Sequence, residues 1–399
     1  MSIIKSFSRF ILALTFILML SSCGDDSVSA VKDEIAVSPT SVDLSAASGT
    51  GSVEVVSNSS WTVELNSEDG ADTSWLVLAK SRGTGNATVS FRVLENKYKS
   101  ERKAEMIFKT TNGEVASVSV VQSGNATAEE VTSVQIRVGS YNIRIPSSDD
   151  QKHETRNWDA RKGFLWSSIE QCAFDIVGLQ EVSSAQQNDL KEKWSSVYGM
   201  YFFSPYSRDG KGDRAQGVMY RSNLFNISDI HFFWIGDDPD SMSTNDVDSN
   251  GAKYNRGGFC CVLTHKASGI KVFFMNTHGC LNKDVGAKYA SLFEQMEKRY
   301  NTEGLPAFLV GDMNATPDQS MLKTITSYWT DSYLKALKKT GIANTFNSWT
   351  NPNGLRRIDY VLYRNVSAPS LYCCDNTLFN NCYPSDHFPV YADFGIEKK

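Results

Sequence analysis

The sequence predicts two folded domains in one chain, an all-β immunoglobulin-like sandwich followed by a larger α/β domain. Two observations carry this prediction. Short runs that alternate polar and apolar residues follow one another through residues 36–124. Beyond residue 134, apolar strands and stretches with helical spacing alternate over a length sufficient for one large core. Residues 24–35 and 125–133 are expected to be linkers.

The first 23 residues are typical of a targeting segment. Lys5 and Arg9 supply positive charge, and residues 10–20 form an uncharged apolar run. This run is short for a membrane-spanning helix but has the length of a signal-peptide core. Leu20-Ser21-Ser22-Cys23 resembles a bacterial lipobox, with an ordinary secretory signal as the alternative. We expect Cys23 to be lipidated, and the exported protein to be held at a bacterial membrane, the outer membrane or cell surface, by its lipid alone.

The front domain combines period-two strands with two tryptophans. Residues 88–93, Thr-Val-Ser-Phe-Arg-Val, show the alternation clearly, and short strands at this spacing indicate a β-sandwich. The order of Ser60-Trp61-Thr62-Val63, Trp75-Leu76 and Val120-Val121-Gln122-Ser123-Gly124 resembles BACON domains. Each indole is either part of the core or a platform for a sugar, and single aromatics on short strands favour the core. We expect a spacer or adhesion module without chemistry of its own, with glycan contact as its binding function.

In the second domain, polar side chains stand repeatedly at the ends of apolar strands. Examples are Gln180-Glu181, Asn276-Thr277-His278 and Gly311-Asp312-Met313-Asn314. Strand ends are where α/β sheets build their active sites. Asp312 and Asn314 are two residues apart, so on an extended backbone they face the same side. This pair suits the orientation of a water molecule or contact with a phosphate oxygen, and an Asx turn is the alternative.

Seven sequence blocks together resemble the endonuclease/exonuclease/phosphatase superfamily, which has a pancreatic-deoxyribonuclease-like fold. The resemblance covers nearly all of residues 134–394. For residues 134–399 it implies an α/β four-layer sandwich, with two packed mixed β-sheets flanked by helices, and hydrolysis of phosphoesters with a divalent metal. In family order the blocks are Tyr141-Asn142-Ile143-Arg144, Trp158-Asp159-Ala160-Arg161, Gln180-Glu181, Asn276-Thr277-His278, Gly311-Asp312-Met313-Asn314, Arg357-Ile358-Asp359-Tyr360 and Ser385-Asp386-His387.

The resemblance also implies a metal site. Glu181 corresponds to the main metal carboxylate of the family, and Asn142 and Asp386 correspond to partners at the metal or its waters. A few oxygen ligands with retained waters suit Mg²⁺, which Mn²⁺ can replace. The segment after Asn142 contains Arg144 instead of an acidic residue, which favours general phosphodiesterases and phosphatases over abasic-site nucleases.

Catalytic roles follow from the same resemblance. Asp312 and Asn314 correspond to the pair that orients water and holds phosphate, and Asp359 to the carboxylate that orients a histidine. That histidine is His387, which either contacts the phosphate or acts as the base. His278 corresponds to the histidine that either clamps a phosphate oxygen or assists the leaving group.

One further residue is a candidate for substrate binding. Arg256 resembles a family arginine that precedes a central strand. Two roles stay open for it at the level of the sequence, contact with the substrate phosphate or a structural ion pair.

Charge and composition narrow the class of substrate. From residue 131 onward the chain has 29 Lys plus Arg and 29 Asp plus Glu, so this half is neutral and lacks the positive excess of tight duplex-DNA binders. We expect a monomeric phosphodiesterase or nuclease acting on extracellular nucleic acid. One alternative is a phosphatase or phospholipase-type diesterase acting on sugar, inositol or lipid phosphates. The other is a surface lipoprotein that binds glycan and has no catalytic activity.

Overall fold

The computed structural model of the protein describes residues 32–67, 73, 75–127, 132–242, 246–248 and 250–398. The predicted signal peptide, including the proposed lipidation site Cys23, lies outside these residues. No helix among the described residues is long and apolar enough to cross a membrane.

The front domain is a sandwich of two sheets. One sheet has the strand order β1-β3-β7-β5 and the other β2-β9-β8-β4-β6. The strands are β1 (Ile35–Ser38), β2 (Ser41–Leu44), β3 (Gly49–Ser57), β4 (Ser60–Asn66), β5 (Leu76–Leu78), β6 (Arg82–Thr84), β7 (Ala87–Val93), β8 (Arg102–Thr110) and β9 (Val115–Gln122).

The core of the sandwich contains the two tryptophans. Trp61 and Trp75 are each 2% exposed and belong to a cluster with Phe91 and Phe108. Trp61 Nε1 donates to the Gly85 carbonyl oxygen at 3.0 Å, which satisfies the one polar atom that burial of the indole removes from water. The prediction that both indoles are core residues is confirmed, so the expected glycan contact would have to use other side chains.

The second domain contains two larger mixed sheets. The first has the order β12-β13-β11-β10-β24-β23-β21 and the second β14-β17-β18-β19-β22-β20, while β15 and β16 form a separate pair. The strands are β10 (Ser133–Asn142), β11 (Ile176–Val182), β12 (Tyr198–Phe203), β13 (Ala215–Arg221), β14 (Phe225–Trp234), β15 (Asp246–Val247), β16 (Lys253–Tyr254), β17 (Gly257–His265), β18 (Lys271–His278), β19 (Ala307–Asp312), β20 (Thr330–Asp331), β21 (Lys338–Gly341), β22 (Asp359–Arg364), β23 (Leu371–Cys374) and β24 (Val390–Glu397).

Helices cover the outer face of each sheet. They are α1 (Trp158–Cys172), α2 (Ser184–Trp194), α3 (Lys283–Lys288), α4 (Leu292–Tyr300) and α5 (Ser320–Tyr328), whereas the short α6 (Ser332–Lys335) packs Tyr333 against the core between the sheets. The helix predicted from the spacing of Trp158 and Leu165 is confirmed by α1. The side chain of Asn157 caps α1 by accepting a hydrogen bond from the Ala160 amide.

Side-chain alternation on the central strands explains the four layers. Ile176 and Val310 point into a shared core between the two sheets. Their neighbours point outward, Val177 into the cluster with α1 and α2, and Leu309 into the cluster with α4 and α5. Strands buried on both faces read as continuous apolar runs. The fold class predicted for this half, two packed sheets between helical layers, is confirmed.

Candidate active site

The first wall of the site forms where β10 and β11 end. These strands are parallel, with Asn142 opposite Gln180. The next residue, Glu181, has a left-handed φ of 61°, and the pairing of β11 with β13 shifts register between Leu179 and Val182. Such a bulge re-aims a side chain at the rim of a sheet. It places the Glu181 carboxylate beside Asn142, whose Nδ2 donates to Glu181 Oε1 at 3.3 Å.

The second wall forms at the same edge of the other sheet. His278 ends β18 and Asp312 ends β19, and the two residues are paired in parallel register. Their approach depends on Gly311, because a Cβ there would lie 2.1 Å from the Thr277 carbonyl oxygen. His278 Nε2 lies 3.4 Å from Asp312 Oδ2, and Asn142 Nδ2 donates to that same oxygen at 3.0 Å. Asn142 therefore joins the two walls.

A buried carboxylate orients the second histidine. Asp359 begins β22 directly opposite Asp312, and its Oδ2 lies 2.9 Å from His387 Nδ1. Thr345 Oγ1 donates to the same Asp359 oxygen at 2.5 Å. The other ring nitrogen, His387 Nε2, lies 3.7 Å from Asp312 Oδ2. Because Asp359 holds Nδ1, Nε2 is the atom of His387 that faces Asp312.

Neighbouring charges outweigh burial at several of these groups. Burial lowers the pKa of His387, but the carboxylates of Asp359 and Asp312 raise it to about 10. Burial raises the pKa of Glu181, but its neighbours His278 and Arg144 lower it to about 2. At Asp359 and Asp386 burial outweighs the neighbouring charges and raises the pKa of each carboxyl group. Acids shifted in both directions next to a histidine shifted upward are typical of a site that handles charge.

The oxygen-bearing residues fit a divalent cation. Glu181 and Asp386 present carboxylates and Asn142 an amide, and hard oxygen donors of this kind suit Mg²⁺ or Mn²⁺. Glu181 accepts from Asn142 Nδ2 at 3.3 Å on Oε1 and from the Ile145 amide at 3.1 Å on Oε2, and Asp386 Oδ1 accepts from Ser385 Oγ at 3.4 Å. Each carboxylate oxygen can accept more than one contact, so these bonds leave coordination capacity. Among the described residues, a second group, Asp312, Asp359 and His387, has ligand-type atoms within 4.8 Å of one another. In that group Asp359 is hydrogen-bonded to His387, as expected if the role of Asp359 is to orient the histidine.

Asn314 lies beside this centre and faces partly away from it. Its backbone has a φ of 52°, and its amide N–H donates to Asp312 Oδ1 at 2.8 Å. Its side-chain Nδ2 donates to the Gly279 carbonyl oxygen at 3.1 Å, whereas its Oδ1 accepts no hydrogen bond from the described residues. Asn314 thus fixes one oxygen of Asp312 in the way an Asx turn does, while its own amide closes the turn after His278.

Arg256 is placed in a buried ion pair. Its Nε donates to Asp246 Oδ2 at 2.9 Å, and Asp246 also accepts hydrogen bonds from the backbone amides of Leu281 and Asn282. Arg256 directly precedes Gly257, which pairs with His278. Of the two roles left open by the sequence, the structure shows the ion pair; the role in substrate binding stays a prediction.

Arg161 connects the two segments that carry the predicted metal-site residues. It is fully buried and donates to the carbonyl oxygens of Ile143 at 2.8 Å, Arg144 at 2.5 Å and Pro384 at 3.0 Å. No role for Arg161 is predicted from the sequence. A signal was present, because Arg161 follows Trp158 by three residues and precedes Leu165 by four, which puts a charged residue on the buried face of a helix.

The position of Trp349 near the site is likewise not predicted from the sequence. Its loop docks on the Asp386 segment, since the amides of Asn347 and Ser348 both donate to the Asp386 carbonyl oxygen, at 2.8 and 3.1 Å. Ser348 and Trp349 have positive φ angles of 54° and 64°, an arrangement that costs about 1–3 kcal/mol at a non-glycine residue. The indole is half-buried and lies 5.6 Å from the guanidinium carbon of Arg161. The sequence pattern does not predict positive φ angles at these two residues.

The structure brings most of the predicted site residues to one edge of the paired sheets. Arg256 lies next to that edge in its own ion pair, and Cys23 is outside the described residues. Those that meet at the edge are Asn142, Glu181, His278, Asp312, Asn314, Asp359, Asp386 and His387.

Two family models match the chain. The model of the Endonuclease/Exonuclease/phosphatase family matches residues 139–387, and the model of BACON, described as a putative N-terminal binding domain, matches residues 60–123. An uncharacterized protein of Acanthamoeba polyphaga mimivirus is 26% identical over 199 residues, 47% of this chain and 27% of that protein. The chain thus spans only about a quarter of the length of this curated relative.

Solved structures from Bacteroides resemble the second half. An endonuclease/exonuclease/phosphatase family protein from Bacteroides thetaiotaomicron is 25% identical with a TM-score of 0.60, covering 67% of this chain and 99% of its own. The mannosyl-6-phosphatase of Bacteroides thetaiotaomicron is 26% identical with a TM-score of 0.58, covering 64% and 98%. A Bacteroides vulgatus family protein is 25% identical with a TM-score of 0.59, covering 66% and 100%. The chain belongs to the endonuclease/exonuclease/phosphatase family, whose members hydrolyse phosphoesters, and it carries a BACON domain in front of the catalytic fold.

Proposed function

We propose that the protein is a divalent-cation-dependent phosphoester hydrolase that acts on small phosphorylated sugars. The observation that carries the reaction type is the meeting of Asp312, Asp359 and His387 next to the carboxylates of Glu181 and Asp386. The neutral charge of this half and the similarity to a mannosyl-6-phosphatase support a small substrate rather than a long polyanion.

The positions of the site residues suggest a separate role for each group. Glu181, Asp386 and Asn142 would hold the cation, Mg²⁺ or Mn²⁺, which when bound offsets the charge that develops on the phosphate. Asp312 Oδ2 faces both imidazoles, 3.4 Å from His278 Nε2 and 3.7 Å from His387 Nε2. A phosphoryl group bound next to Asp312 would meet donors from both histidines, and Asp312 and His387 are the two groups placed to move a proton of the attacking water.

A substrate panel tests this proposal. We expect Mg²⁺-dependent phosphate release from hexose 6-phosphates, with hydrolysis of plasmid DNA, RNA and a nitrophenyl phosphodiester at least about tenfold slower in kcat/KM. EDTA should abolish the activity. Preferential cleavage of DNA or RNA would instead support the nuclease expected from the sequence, and preference for phosphorylated lipids the diesterase alternative. No hydrolysis of any of these would favour the glycan-binding lipoprotein.

Trp349 offers a sharper test of the substrate class. Its half-buried indole is held on the segment that carries Asp386, and aromatic faces stack well on sugar rings. We expect Trp349→Ala to raise KM for a hexose phosphate by about tenfold with a smaller change in kcat, and Trp349→Phe to retain most of the affinity. Hydrolysis of methyl phosphate, which has no ring, serves as the internal control. Equal losses on both substrates would mean that Trp349 only supports the loop.

The cellular location stays a prediction. Export and lipid anchoring at Cys23 are supported by the lipobox-like Leu20-Ser21-Ser22-Cys23. We propose the same location, with the catalytic half outside the cell and the BACON domain between it and the membrane anchor in the chain order.

A further inference from the structure

We propose that Arg144 is an internal counter-cation of the metal site, and that its guanidinium gives up the two metal carboxylates when a divalent cation binds. This inference rests on the proposed cation dependence. It concerns a residue to which neither the family resemblance nor the comparisons give a role.

The position of the guanidinium carries the first step. Arg144 Nη1 lies 3.8 Å from Glu181 Oε2 and 3.6 Å from Asp386 Oδ2. Both distances are within ion-pair range yet longer than a hydrogen bond, so the arginine neutralises both acids without being bound tightly to either. The acid side chains are 15% and 8% exposed, and leaving two such charges without a counter-ion would be costly.

The backbone of Arg144 is fixed more firmly than its side chain. Its amide donates to Asn142 Oδ1 at 3.0 Å, and its carbonyl oxygen accepts from Arg161 Nη2 at 2.5 Å and Gln186 Nε2 at 3.0 Å. A φ of 58° turns the chain here. The side chain itself is 29% exposed, considerably more than the carboxylates that it neutralises. Because the backbone is held and the side chain is partly exposed, the guanidinium can move without unfolding the loop.

A second acid, Asp150, can keep Arg144 paired when it leaves Glu181 and Asp386. Asp150 Oδ2 accepts from Arg144 Nε at 2.8 Å and from Ser147 Oγ at 2.6 Å. Asp150 begins a short 3-10 helix, Asp150–Lys152, and is 5% exposed. Arg144 is thus shared between Asp150 and the metal carboxylates. When a cation neutralises Glu181 and Asp386, Asp150 can keep the displaced guanidinium paired, so no buried charge is left alone.

The sharing predicts opposite effects for two substitutions. Arg144→Gln removes the competitor, so Mn²⁺ should bind about tenfold more tightly by isothermal titration calorimetry. Asp150→Asn weakens the alternative partner, so Arg144 should hold the metal carboxylates more firmly and Mn²⁺ should bind several-fold more weakly. Lys152→Gln, which removes an exposed positive charge from the same 3-10 helix, is the matched control and should change the affinity by less than about twofold.

Thermal unfolding gives a readout that is independent of catalysis. Without metal, Arg144→Gln should melt several degrees below the wild type, because Glu181 and Asp386 lose the guanidinium that lies 3.8 and 3.6 Å from them. At saturating Mn²⁺ most of this difference should disappear, since the cation replaces the lost charge. A deficit that stays the same at saturating Mn²⁺ would show that Arg144 only supports the loop and would overturn the inference.

The outcomes separate the inference from the proposed function. Wild-type protein that binds neither Mn²⁺ nor Mg²⁺ would overturn the cation dependence, and the exchange with it. Wild-type binding that Arg144→Gln fails to tighten, or that Asp150→Asn tightens, would overturn the exchange alone. If Arg144→Gln does not fold without metal, Asp150→Asn still decides the question by the direction of its change in affinity.

Discussion

Replacing Glu181 by Gln is expected to lower phosphoester hydrolysis by at least about 10²-fold while the protein stays folded. The amide keeps the shape and volume of the side chain but removes one of the two carboxylates that would hold the cation. The bulge that aims residue 181 is a property of the backbone, so the amide should occupy the same place. Raising the Mg²⁺ concentration should restore part of the activity, because the loss lies in cation affinity.

A buried glutamate elsewhere provides the matched control. Glu297 on α4 is 4% exposed and accepts hydrogen bonds from Tyr328 Oη at 2.6 Å and Asn301 Nδ2 at 2.7 Å. Glu297→Gln should leave both kcat and the Mg²⁺ dependence unchanged even if stability falls. The measurement is initial rate against Mg²⁺ concentration for both variants and the wild type. Wild-type rates for Glu181→Gln, or an enzyme that works in EDTA, would rule out the role proposed for Glu181.

Asp359→Asn should reduce kcat by about 10²–10⁴-fold, and added Mg²⁺ should not restore it. Asp359 Oδ2 accepts from Thr345 Oγ1 and is paired with His387 Nδ1, so the neutral amide loses the charge that fixes and supports the imidazole. The effect is on the orientation of His387 Nε2 toward Asp312 rather than on the cation. Glu181→Gln and Asp359→Asn should therefore differ in their response to added Mg²⁺.

Asp331→Asn is the control for Asp359→Asn. Asp331 is also a buried acid of the same sheet, where β20 pairs with β22, and it bonds Arg357 Nη1 at 2.7 Å. Its loss should destabilise the fold by about 3 kcal/mol, since it leaves a buried arginine without its partner, yet kcat per folded molecule should be retained. If Asp359→Asn likewise lowers only the melting temperature, Asp359 is structural and the histidine-orienting role is wrong.

Much of the fold could be predicted because local pattern and global architecture agree. The alternation at residues 88–93 produced strand β7 (Ala87–Val93), and helical spacing around Trp158 produced α1. The apolar run before Asp312 produced β19, buried on both faces between sheet and helices. In each case the side-chain period fixes which face is buried, and burial is the main driving force for the element.

The position of the site could be predicted for a related reason. Polar residues that follow an apolar strand lie at the edge of the core. Glu181, His278 and Asp312 all stand at such strand ends, so they are expected to lie together where these ends share one edge. What the sequence could not specify was the partner of each group. Asn142 bonds Asp312 across 170 residues, and Arg161 bonds the Pro384 carbonyl across 223. Such contacts exist only once the two sheets have packed.

The sequence by itself determined the two domains, the polar edge of the paired sheets and the acidic and imidazole groups on it, because strand period and strand ends are local properties. The tertiary structure alone decided how the arginines are used. Arg256 is bonded to Asp246, whereas Arg144 is shared between Asp150 and the two predicted metal carboxylates, and nothing local distinguishes them. A guanidinium pairs with whichever acid the folded chain brings within reach, since the strength of an ion pair depends on distance and burial rather than on sequence separation.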